Sequence, residues 1–292
     1  MQDLMVCVGY GIPFQGIPVA RRLVIYVCAE GMSGADERII AARAKYEKLD
    51  GEEPAIIVYE RPVDLMRRMD TVNKELERLK ETILALIRHS GLEVGVIIFD
   101  TLAKCCGDGD ENSTRDMNAV IRGLQQDICE PTGAAAILVA HAGKDISRGP
   151  RGASSLEANC STSFCVAKED DDDVITITCK RQKECKEVEP VHMVLEEMVT
   201  AHPRTGQRVS APVVRMLREK PQPDPTAKLT DHQRLALRVL NEAGGELAKK
   251  EWAKRARAAG LNPNRPAAFN EAARALVKAG LVQMLGETYH TA

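Results

Sequence analysis

Aromatic side chains and long apolar runs are both scarce in this 292-residue chain. Aromatic residues make up 3% of the sequence, with a single Trp, so the predicted core is built mainly from aliphatic side chains. No apolar run approaches the roughly 20 residues that a membrane-spanning helix requires, and no signal peptide is recognisable. The sequence therefore predicts a globular protein without a membrane partner.

The nine cysteines lack the spacing of a metal site or of a disulfide framework. Their number is odd, no C-x-x-C motif occurs, and several of them lie inside predicted strands. Thiols of this kind suit the reducing environment of the cytosol. We therefore expect a cytoplasmic protein with reduced cysteines and no cysteine-bound metal.

The length of 292 residues suffices for one large α/β domain and a small second domain. A polar, proline-rich segment at residues 219–228 has the composition of a linker. We therefore predict a first domain over residues 1–218, a linker over residues 219–228 and a second domain over residues 229–292. The formal net charge of −2 gives the chain as a whole no bias towards nucleic acid.

Apolar strands alternate with amphipathic helices through the first half of the chain. Strands are predicted at residues 23–29, 55–59, 96–100 and 136–140, and a helix is predicted to end at Gly11. Such alternation indicates parallel strands joined by right-handed crossovers, with helices on both faces of the sheet. The predicted fold class is therefore α/β with a mostly parallel sheet.

A long helix is predicted to begin at Pro62, because proline is favoured in the first turn. Apolar residues then recur in alternating four- and three-residue steps, which indicates one continuous apolar face that packs on the sheet. A coiled coil is the alternative, but the run is short and lies between strands. The apolar positions are Leu65, Met69, Val72, Leu76, Leu79, Ile83 and Leu86.

Beyond His141 the pattern changes to a period of two, which predicts antiparallel strands at the end of the first domain. These strands are expected at residues 163–167, 174–180, 191–196 and 208–214. The acidic run at residues 169–173 joins two of them, and we interpret it as a solvated turn rather than a metal site.

Three predicted parallel strands are each followed by one polar side chain, namely Glu30, Asp100 or His141. Because the carboxyl ends of parallel strands meet at one edge of a sheet, we expect these side chains to lie together. ATP hydrolysis needs a phosphate cradle, a magnesium anchor, a group that orients water, and positive charge. Asp100 suits the magnesium anchor, Glu30 the water-orienting base and His141 a sensor of the γ-phosphate. Each of these residues alone also occurs in purely structural positions.

Positive charge for the phosphates is predicted on the glycine-rich loop after His141. Arg148 and Arg151 lie on this loop and are candidates to contact a phosphate, also in a neighbouring subunit. The phosphate cradle itself is missing, because no G-x-x-x-x-G-K-[ST] sequence occurs in the chain.

Taken together, these motifs resemble the RecA-like AAA ATPases of the RepA type, a group of hexameric replicative helicases from plasmids and phages. The matching stretches are residues 11–16 (GIPFQG), 24–31 (VIYVCAEG), 96–101 (VIIFDT), 109–113 (GDENS), 141–144 (HAGK) and 151–156 (RGASSL), with Arg38 and Ala41. They fall within residues 1–215. The resemblance implies a RecA-like P-loop NTPase core that uses ATP and Mg²⁺ and drives single-stranded DNA through a homohexamer.

The resemblance also implies roles for individual residues. Glu30 corresponds to the catalytic glutamate, Asp100 to the Walker B aspartate that holds Mg²⁺, and His141 to the sensor. Arg151 corresponds to an arginine finger that acts across a subunit interface. The remaining candidate nucleotide contacts are Lys144, Arg148, Lys180 and Lys183, of which the last two are equally well explained as ordinary charged strand ends.

The chain departs from the family pattern at its beginning. In the family, the phosphate-binding loop precedes a helix equivalent to residues 1–11, and the strand that feeds this loop is central in the sheet. Clipping of the sequence is the interpretation favoured over evolved loss, because the other motifs are intact. Without that strand, we expect two neighbouring strands to be left unpaired in the middle of the sheet, and the chain alone to be inactive.

The tail after the linker predicts three helices and a hairpin, which is the winged-helix order. From Lys228 onward, eleven Lys and Arg residues stand against six Asp and Glu residues. Asn270, Arg274 and Lys278 share one row of the third helix, where a recognition helix would face duplex DNA. A solvated charged face or a protein-docking domain is the alternative.

Two other classes of function are compatible with the sequence. One is a non-catalytic DNA-binding or regulatory protein on a degenerate ATPase fold, and the other is a fragment without activity of its own. The leading hypothesis is an ATP-driven motor of DNA replication.

Overall fold

The computed structural model describes residues 1–46, 53–66, 72–141, 154–168, 173–219, 226, 229–262, 265 and 267–292. The chain divides into two compact units, Met1–Lys220 and Pro221–Ala292. The first unit contains a parallel and an antiparallel sheet, and the second contains three helices with a small sheet.

The first unit is built on a parallel sheet of four strands in the order β2-β1-β3-β4. Its elements are α1 (Gln2–Tyr10), β1 (Leu23–Cys28), α2 (Ala35–Ala44), β2 (Ile56–Tyr59), α3 (Lys74–Ser90), β3 (Val94–Asp100), α4 (Thr114–Gly123), a π-helical segment (Leu124–Cys129), α5 (Glu130–Thr132) and β4 (Ala135–Val139). Short 3₁₀ turns occupy Met32–Gly34 and Leu102–Cys105. The alternation of strands and helices confirms the predicted α/β class.

Helices cover both faces of this sheet, because successive side chains of each strand point to opposite sides. On one face, Ile25 and Phe99 pack with Leu79 of α3 and Val120 of α4. On the other face, Tyr26 and Ile98 belong to a cluster with side chains of α1 and α2. Every residue of β1 is buried, which explains its unbroken apolar sequence.

The expected gap in the middle of the sheet is not present among the described strands. β3 pairs directly with β1 on one side and with β4 on the other, so the four parallel strands are contiguous. β4 forms one edge of the sheet instead, and its residues are half-buried or exposed despite their apolar character. The prediction of two unpaired neighbours was wrong because the pairing partner of β3 is β4 itself.

The predicted start of the long helix at Pro62 was also wrong, since α3 begins at Lys74. Asn73 caps the helix by accepting hydrogen bonds from the amides of Glu75 and Leu76, both at 3.1 Å. The amide group of the Asn73 side chain donates to the carbonyls of Asp64 and Met66, which holds the preceding segment out of helical geometry. Leu76, Leu79 and Ile83 are buried as predicted, whereas Val72 is exposed and Met69 lies outside the described residues.

An antiparallel sheet completes the first unit. A short helix α6 (Ser154–Asn159) precedes β5 (Thr162–Lys168), β6 (Ile175–Gln182), β7 (Val191–Ala201) and β8 (Arg208–Leu217), which pair in chain order. Ala211 and Val213 of β8 pack against Ala41 of α2. This contact joins the antiparallel sheet to the helices of the parallel one. Of the acidic run at residues 169–173, only Asp173 is described.

The second unit folds around its own core. Its elements are α7 (Asp231–Glu242), β9 (Glu246–Ala248), α8 (Lys249–Ala258), α9 (Ala268–Lys278), β10 (Val282–Leu285) and β11 (Thr288–Thr291), and the antiparallel strands pair in the order β10-β11-β9. Thr230 and Gln233 form a capping box at the start of α7. Trp252 is fully buried and lies edge-on to Phe269, with ring centroids 5.0 Å apart.

Candidate active site

The parallel sheet brings Glu30, Asp100 and His141 to one edge. Asp100 is the last residue of β3 and pairs with Cys28 and Val139, the final residues of the flanking strands β1 and β4. Glu30 and His141 each follow the end of their strand by two residues. His141 Nε2 lies 3.7 Å from Glu30 Oε2, and both side chains remain about half exposed to solvent. The two groups are thus accessible to a ligand from outside.

Asp100 is held by a buried phenol. The Tyr26 hydroxyl donates a 2.7 Å hydrogen bond to Asp100 Oδ2, and Tyr26 itself is fully buried on β1. Burial raises the pKa of the Tyr26 phenol, and the hydrogen bond to Asp100 raises it further. The phenol is therefore a neutral donor that fixes one carboxylate oxygen and leaves the other available.

Thr101 connects the aspartate to Glu30. Its buried hydroxyl donates to Glu30 Oε2 at 3.1 Å, and the Asp100–Thr101 peptide bond is cis. The Cys28 thiol donates to the backbone carbonyl of Glu30 at 3.3 Å. The Thr101 bond fixes the Glu30 carboxylate beside His141, and the Cys28 bond fixes the Glu30 backbone.

The amino-terminal end of α1 lies near the same edge. Burial lowers the pKa of the Met1 amino group, while the Asp3 and Asp100 carboxylates act in the opposite direction. The Met1 amino group therefore lies close enough to Asp100 to interact with its charge.

Of the other sequence-predicted residues, Lys180 and Lys183 are described and lie outside this cluster. Lys180 is exposed on β6, and Lys183 follows that strand and donates to the Asn159 carbonyl at 3.3 Å. No described contact joins either lysine to Glu30, Asp100 or His141. Lys144, Arg148 and Arg151 lie outside the described residues.

The oxygen donors at this edge suit a hard divalent cation. Mg²⁺ is commonly held by one or two carboxylates, with water and substrate phosphates completing its coordination. Asp100 provides one such carboxylate, with one oxygen not used by Tyr26. Within the part of the chain that the structure describes, no group of three or more His, Cys, Asp or Glu residues forms a metal cage. The site fits an ion that arrives with a phosphate ligand.

Two residues of this edge were missed by sequence reasoning. Tyr26 stands among aliphatic residues in β1, and one tyrosine in an otherwise aliphatic strand is a weak signal of a polar contact in the core. Thr101 directly follows Asp100, and nothing in its position indicates a bond to Glu30.

All nine cysteines are free thiols, five of them buried. Burial raises the pKa of Cys106 to about 12, so this thiol is not a nucleophile at neutral pH. No described helix is long and apolar enough to span a membrane.

Comparison with known proteins assigns the sequence to a family. None of the curated proteins matches the sequence. Among solved structures, the RadB recombinase is similar over 60% of this chain and 76% of its own, with 14% identity and a TM-score of 0.40. A KaiC-like protein from the hyperthermophilic archaeon Pyrococcus horikoshii OT3 is similar over 66% and 77%, with 10% identity and a TM-score of 0.38. The AAA domain family matches residues 1–147, half of the sequence, and the chain therefore belongs to that family.

Proposed function

We propose that the first unit is the core of an ATP-hydrolysing motor that acts on DNA, of the kind found in RepA-type replicative helicases. The observation that carries this proposal is the convergence of Asp100, Glu30 and His141 at the carboxyl edge of one parallel sheet. Ligands of open α/β sheets bind at this edge. Membership of the AAA domain family supports a nucleotide as that ligand.

Each residue has a defined task in this proposal. The Asp100 oxygen not engaged by Tyr26 would hold Mg²⁺, which would neutralise charge on the phosphates. Glu30, oriented by Thr101, accepts a hydrogen bond from the attacking water. His141, 3.7 Å from Glu30, donates to the γ-phosphate or positions the same water.

Further positive charge comes from residues assigned by the resemblance. Lys144 and Arg148 are proposed to contact the phosphates, and Arg151 to act as an arginine finger on a neighbouring subunit's nucleotide. Lys180 and Lys183 are proposed to face that neighbouring site. This arrangement requires a homo-oligomer, which we propose is a hexamer around single-stranded DNA.

The second unit is proposed to be a winged-helix domain that contacts duplex DNA. Its order of helices, short strand and terminal hairpin supports this assignment. The excess of basic residues after Lys228 supports a polyanionic partner.

A second candidate function rests on the missing phosphate cradle. A non-catalytic DNA-binding or regulatory protein on a degenerate ATPase fold needs no G-x-x-x-x-G-K-[ST] loop, and the 292 residues contain none. Backbone amides and a lysine of that loop supply most of the affinity for nucleotide phosphates. The two functions therefore predict different ATP turnover once such a loop is added to the chain.

The test is a comparison of ATP turnover by the 292-residue chain and by the same chain extended at its N-terminus with a strand and a G-x-x-x-x-G-K-[ST] loop. We expect turnover only in the extended chain, with Glu30→Gln and Asp100→Asn each nearly abolishing it. Glu37→Gln, an exposed change on α2, serves as the control and should leave turnover intact. An extended, folded chain without turnover would favour the regulatory function.

The trans role of Arg151 is tested by mixing subunits of the extended chain. Subunits with Arg151→Ala and subunits with Glu30→Gln are each expected to be inactive alone. Mixed oligomers should regain part of the turnover, because some interfaces then combine an intact arginine with an intact glutamate. No recovery at any mixing ratio would assign Arg151 to its own subunit's site.

A further inference from the structure

The second unit carries a net positive charge, whereas the rest of the chain carries a net negative charge. From Lys228 onward there are eleven Lys and Arg residues and six Asp and Glu residues. This leaves 29 of the 40 basic and 36 of the 42 acidic residues for the rest of the chain, which is therefore acidic. Five of the eleven basic residues lie in one helix, α8, which contains a single acidic residue, Glu251. Such asymmetry indicates a polyanionic partner for the basic part.

α8 presents one face to the core and the opposite face to solvent. Trp252 and Ala256 are fully buried, and the Trp252 indole N–H donates to the Ala236 carbonyl at 2.8 Å. Lys250, Lys254 and Arg257 lie four and three residues apart on the other side, and all three are exposed. They span about 10 Å along the axis, the length of roughly three base-pair steps of DNA.

The cations of this row have no carboxylate at ion-pair distance within the described residues, although the pKa of Glu251, lowered mainly by its hydrogen bond to Arg255, is also lowered by the nearby Lys254. No carboxylate of the described chain forms an ion pair with Lys250, Lys254 or Arg257. Three arginines elsewhere in the unit are held by carboxylates, at distances of 2.8 to 3.9 Å: Arg255 by Glu251, Arg265 by Glu271 and Arg238 by Glu242.

The row on α9 is less available than sequence reasoning predicts. The Arg274 Nε donates to the Asn270 carbonyl of its own helix at 3.2 Å, and Asn270 is half-buried. Lys278 is the one cation of that row without a described hydrogen bond or ion pair. The row on α8 therefore carries more free positive charge than the row on α9.

The charge pattern of α8 agrees with the helix dipole only in part. Lys249 and Lys250 occupy its first turn, where the helix dipole favours acidic residues. Lys250 and Lys254 are like charges four residues apart, which also weakens a helix. Glu251 in the first turn, its ion pair with Arg255 and the basic residues of the last turn act in the opposite direction.

We propose that Lys250, Lys254 and Arg257 of α8 form a face that binds the phosphate backbone of duplex DNA without reading its sequence. Lys and Arg on a rigid helix match phosphate oxygens, and such contacts carry no sequence information. Duplex is favoured over single-stranded DNA because stacking on bases requires exposed aromatic rings. Trp252, Phe269 and Tyr289 of this unit are all buried in its core.

This inference deepens the DNA contact of the proposed function and is tested on the full chain by duplex binding at 50 to 200 mM salt. Each phosphate contact contributes a slope of about 0.9 in log Kd against log salt. Removal of three contacts by Lys250→Gln, Lys254→Gln and Arg257→Gln should lower the slope by about 2.7. The rise in Kd between 50 and 200 mM salt should therefore be about 40-fold smaller for the variant than for the unaltered chain.

The matched control removes the same charge from the three carboxylate-paired arginines, as Arg238→Gln, Arg255→Gln and Arg265→Gln. We expect this variant to change the slope by less than about 0.9, which is the contribution of one phosphate contact. Emission of Trp252, the one tryptophan of the chain, reports whether the second unit is folded in each variant.

Several outcomes would overturn the proposal. Equal loss of slope in both triple variants would show a general charge effect with no specific face. An unchanged slope in the α8 variant, with duplex binding retained, would exclude α8 and leave the proposed DNA function intact. No duplex binding by the unaltered chain at 50 mM salt would reject both. Tighter binding to polyglutamate than to duplex DNA would assign the face to an acidic protein.

Discussion

The Tyr26 hydroxyl donates a 2.7 Å hydrogen bond to Asp100, and this bond joins the middle of β1 to the carboxyl end of β3. Tyr26 is opposite Ile98 in the sheet register, two residues before Asp100. A buried phenol thus reaches along the neighbouring strand to hold the carboxylate that we assign to Mg²⁺. The orientation of this carboxylate is set by the core of the protein and not by solvent.

Removal of the phenol hydroxyl should destabilise the first unit. A hydrogen bond to a charged group contributes about 1.5–3 kcal/mol to stability, and Tyr26→Phe removes it without a large change of shape. We therefore expect a loss of that size in the free energy of unfolding, measured by urea denaturation. Tyr59→Phe on β2 is the control, because the Tyr59 hydroxyl has no hydrogen bond within the described residues. Equal losses of stability in both variants would contradict a stabilising hydrogen bond between Tyr26 and Asp100.

The same substitution should alter the dependence of stability on alkaline pH. Burial raises the pKa of Tyr26 above its ordinary value of about 10, so the native state keeps a proton that the unfolded state loses. This contribution is fully present below pH ~10 and is lost as the pH rises further. Above pH ~10, the free energy of unfolding should therefore fall less steeply with pH in Tyr26→Phe than in the unaltered chain, by up to about 1.4 kcal/mol per pH unit.

The alkaline experiment is read as a difference between the two proteins. Burial also raises the pKa of Tyr46 and of five cysteine thiols, so the unaltered chain loses stability at high pH for several reasons. These contributions are common to both proteins and cancel in the comparison. Identical slopes would show that the Tyr26 phenol does not titrate differently in the folded state.

An ion pair between Asp3 and Lys45 should be a main support of the contact between α1, α2 and β8. Asp3 is buried and accepts from Lys45 Nζ at 2.6 Å and from the Tyr46 hydroxyl at 3.1 Å. Lys45 also donates to the Val214 carbonyl at 2.6 Å. Lys45→Met leaves a buried carboxylate without its cation, and we expect a loss of about 3 kcal/mol in the stability of the first unit.

The control for this pair is a double variant. Lys45→Met combined with Asp3→Asn should recover part of the loss, because no buried charge is then left unpaired. Lys80→Met breaks the more exposed pair with Glu77 and should change stability by less than about 1 kcal/mol. Circular dichroism follows the unfolding of both units, and Trp252 emission, which reports on the second unit alone, should be unchanged. Additive losses in the double variant would contradict the pairing.

The two units should separate on limited proteolysis. Each has its own buried core, and the boundary falls at residues 220 and 221 within the predicted linker. Cleavage within residues 219–228 is expected to release a protease-resistant C-terminal fragment, identified by mass spectrometry. This fragment should unfold cooperatively when followed by Trp252 emission. A fragment with the emission of a solvent-exposed tryptophan would show that the second unit depends on the first.

Local patterns in the sequence determined much of the first unit. The runs at residues 23–29, 96–100 and 136–140 predicted strands of a parallel sheet, because a parallel sheet covered on both faces requires continuous apolar sequence. β1 is fully buried as expected, whereas β4 at the sheet edge is half-buried or exposed. Their common direction, inferred from the alternation with helices, led to the expectation that Glu30, Asp100 and His141 share one edge. The structure has β1, β3 and β4 parallel and adjacent.

Contacts between segments distant in the chain were decided only by the tertiary structure. The start of α3 depends on Asn73, whose side chain bonds the backbone of residues 64 and 66 as well as the helix, and no helical periodicity carries that information. Tyr26 reaches a residue 74 positions away because of the register between β1 and β3.

Tertiary structure also decides how the exposed positive charge differs between α8 and α9. The sequence determined that the tail is basic, since composition alone gives charge. Which cations remain free depends on the position of Trp252 in the core and on the pairing of each arginine with its neighbours. Charge is a property of composition, whereas its exposure and neutralisation are properties of packing, and only a folded chain has packing.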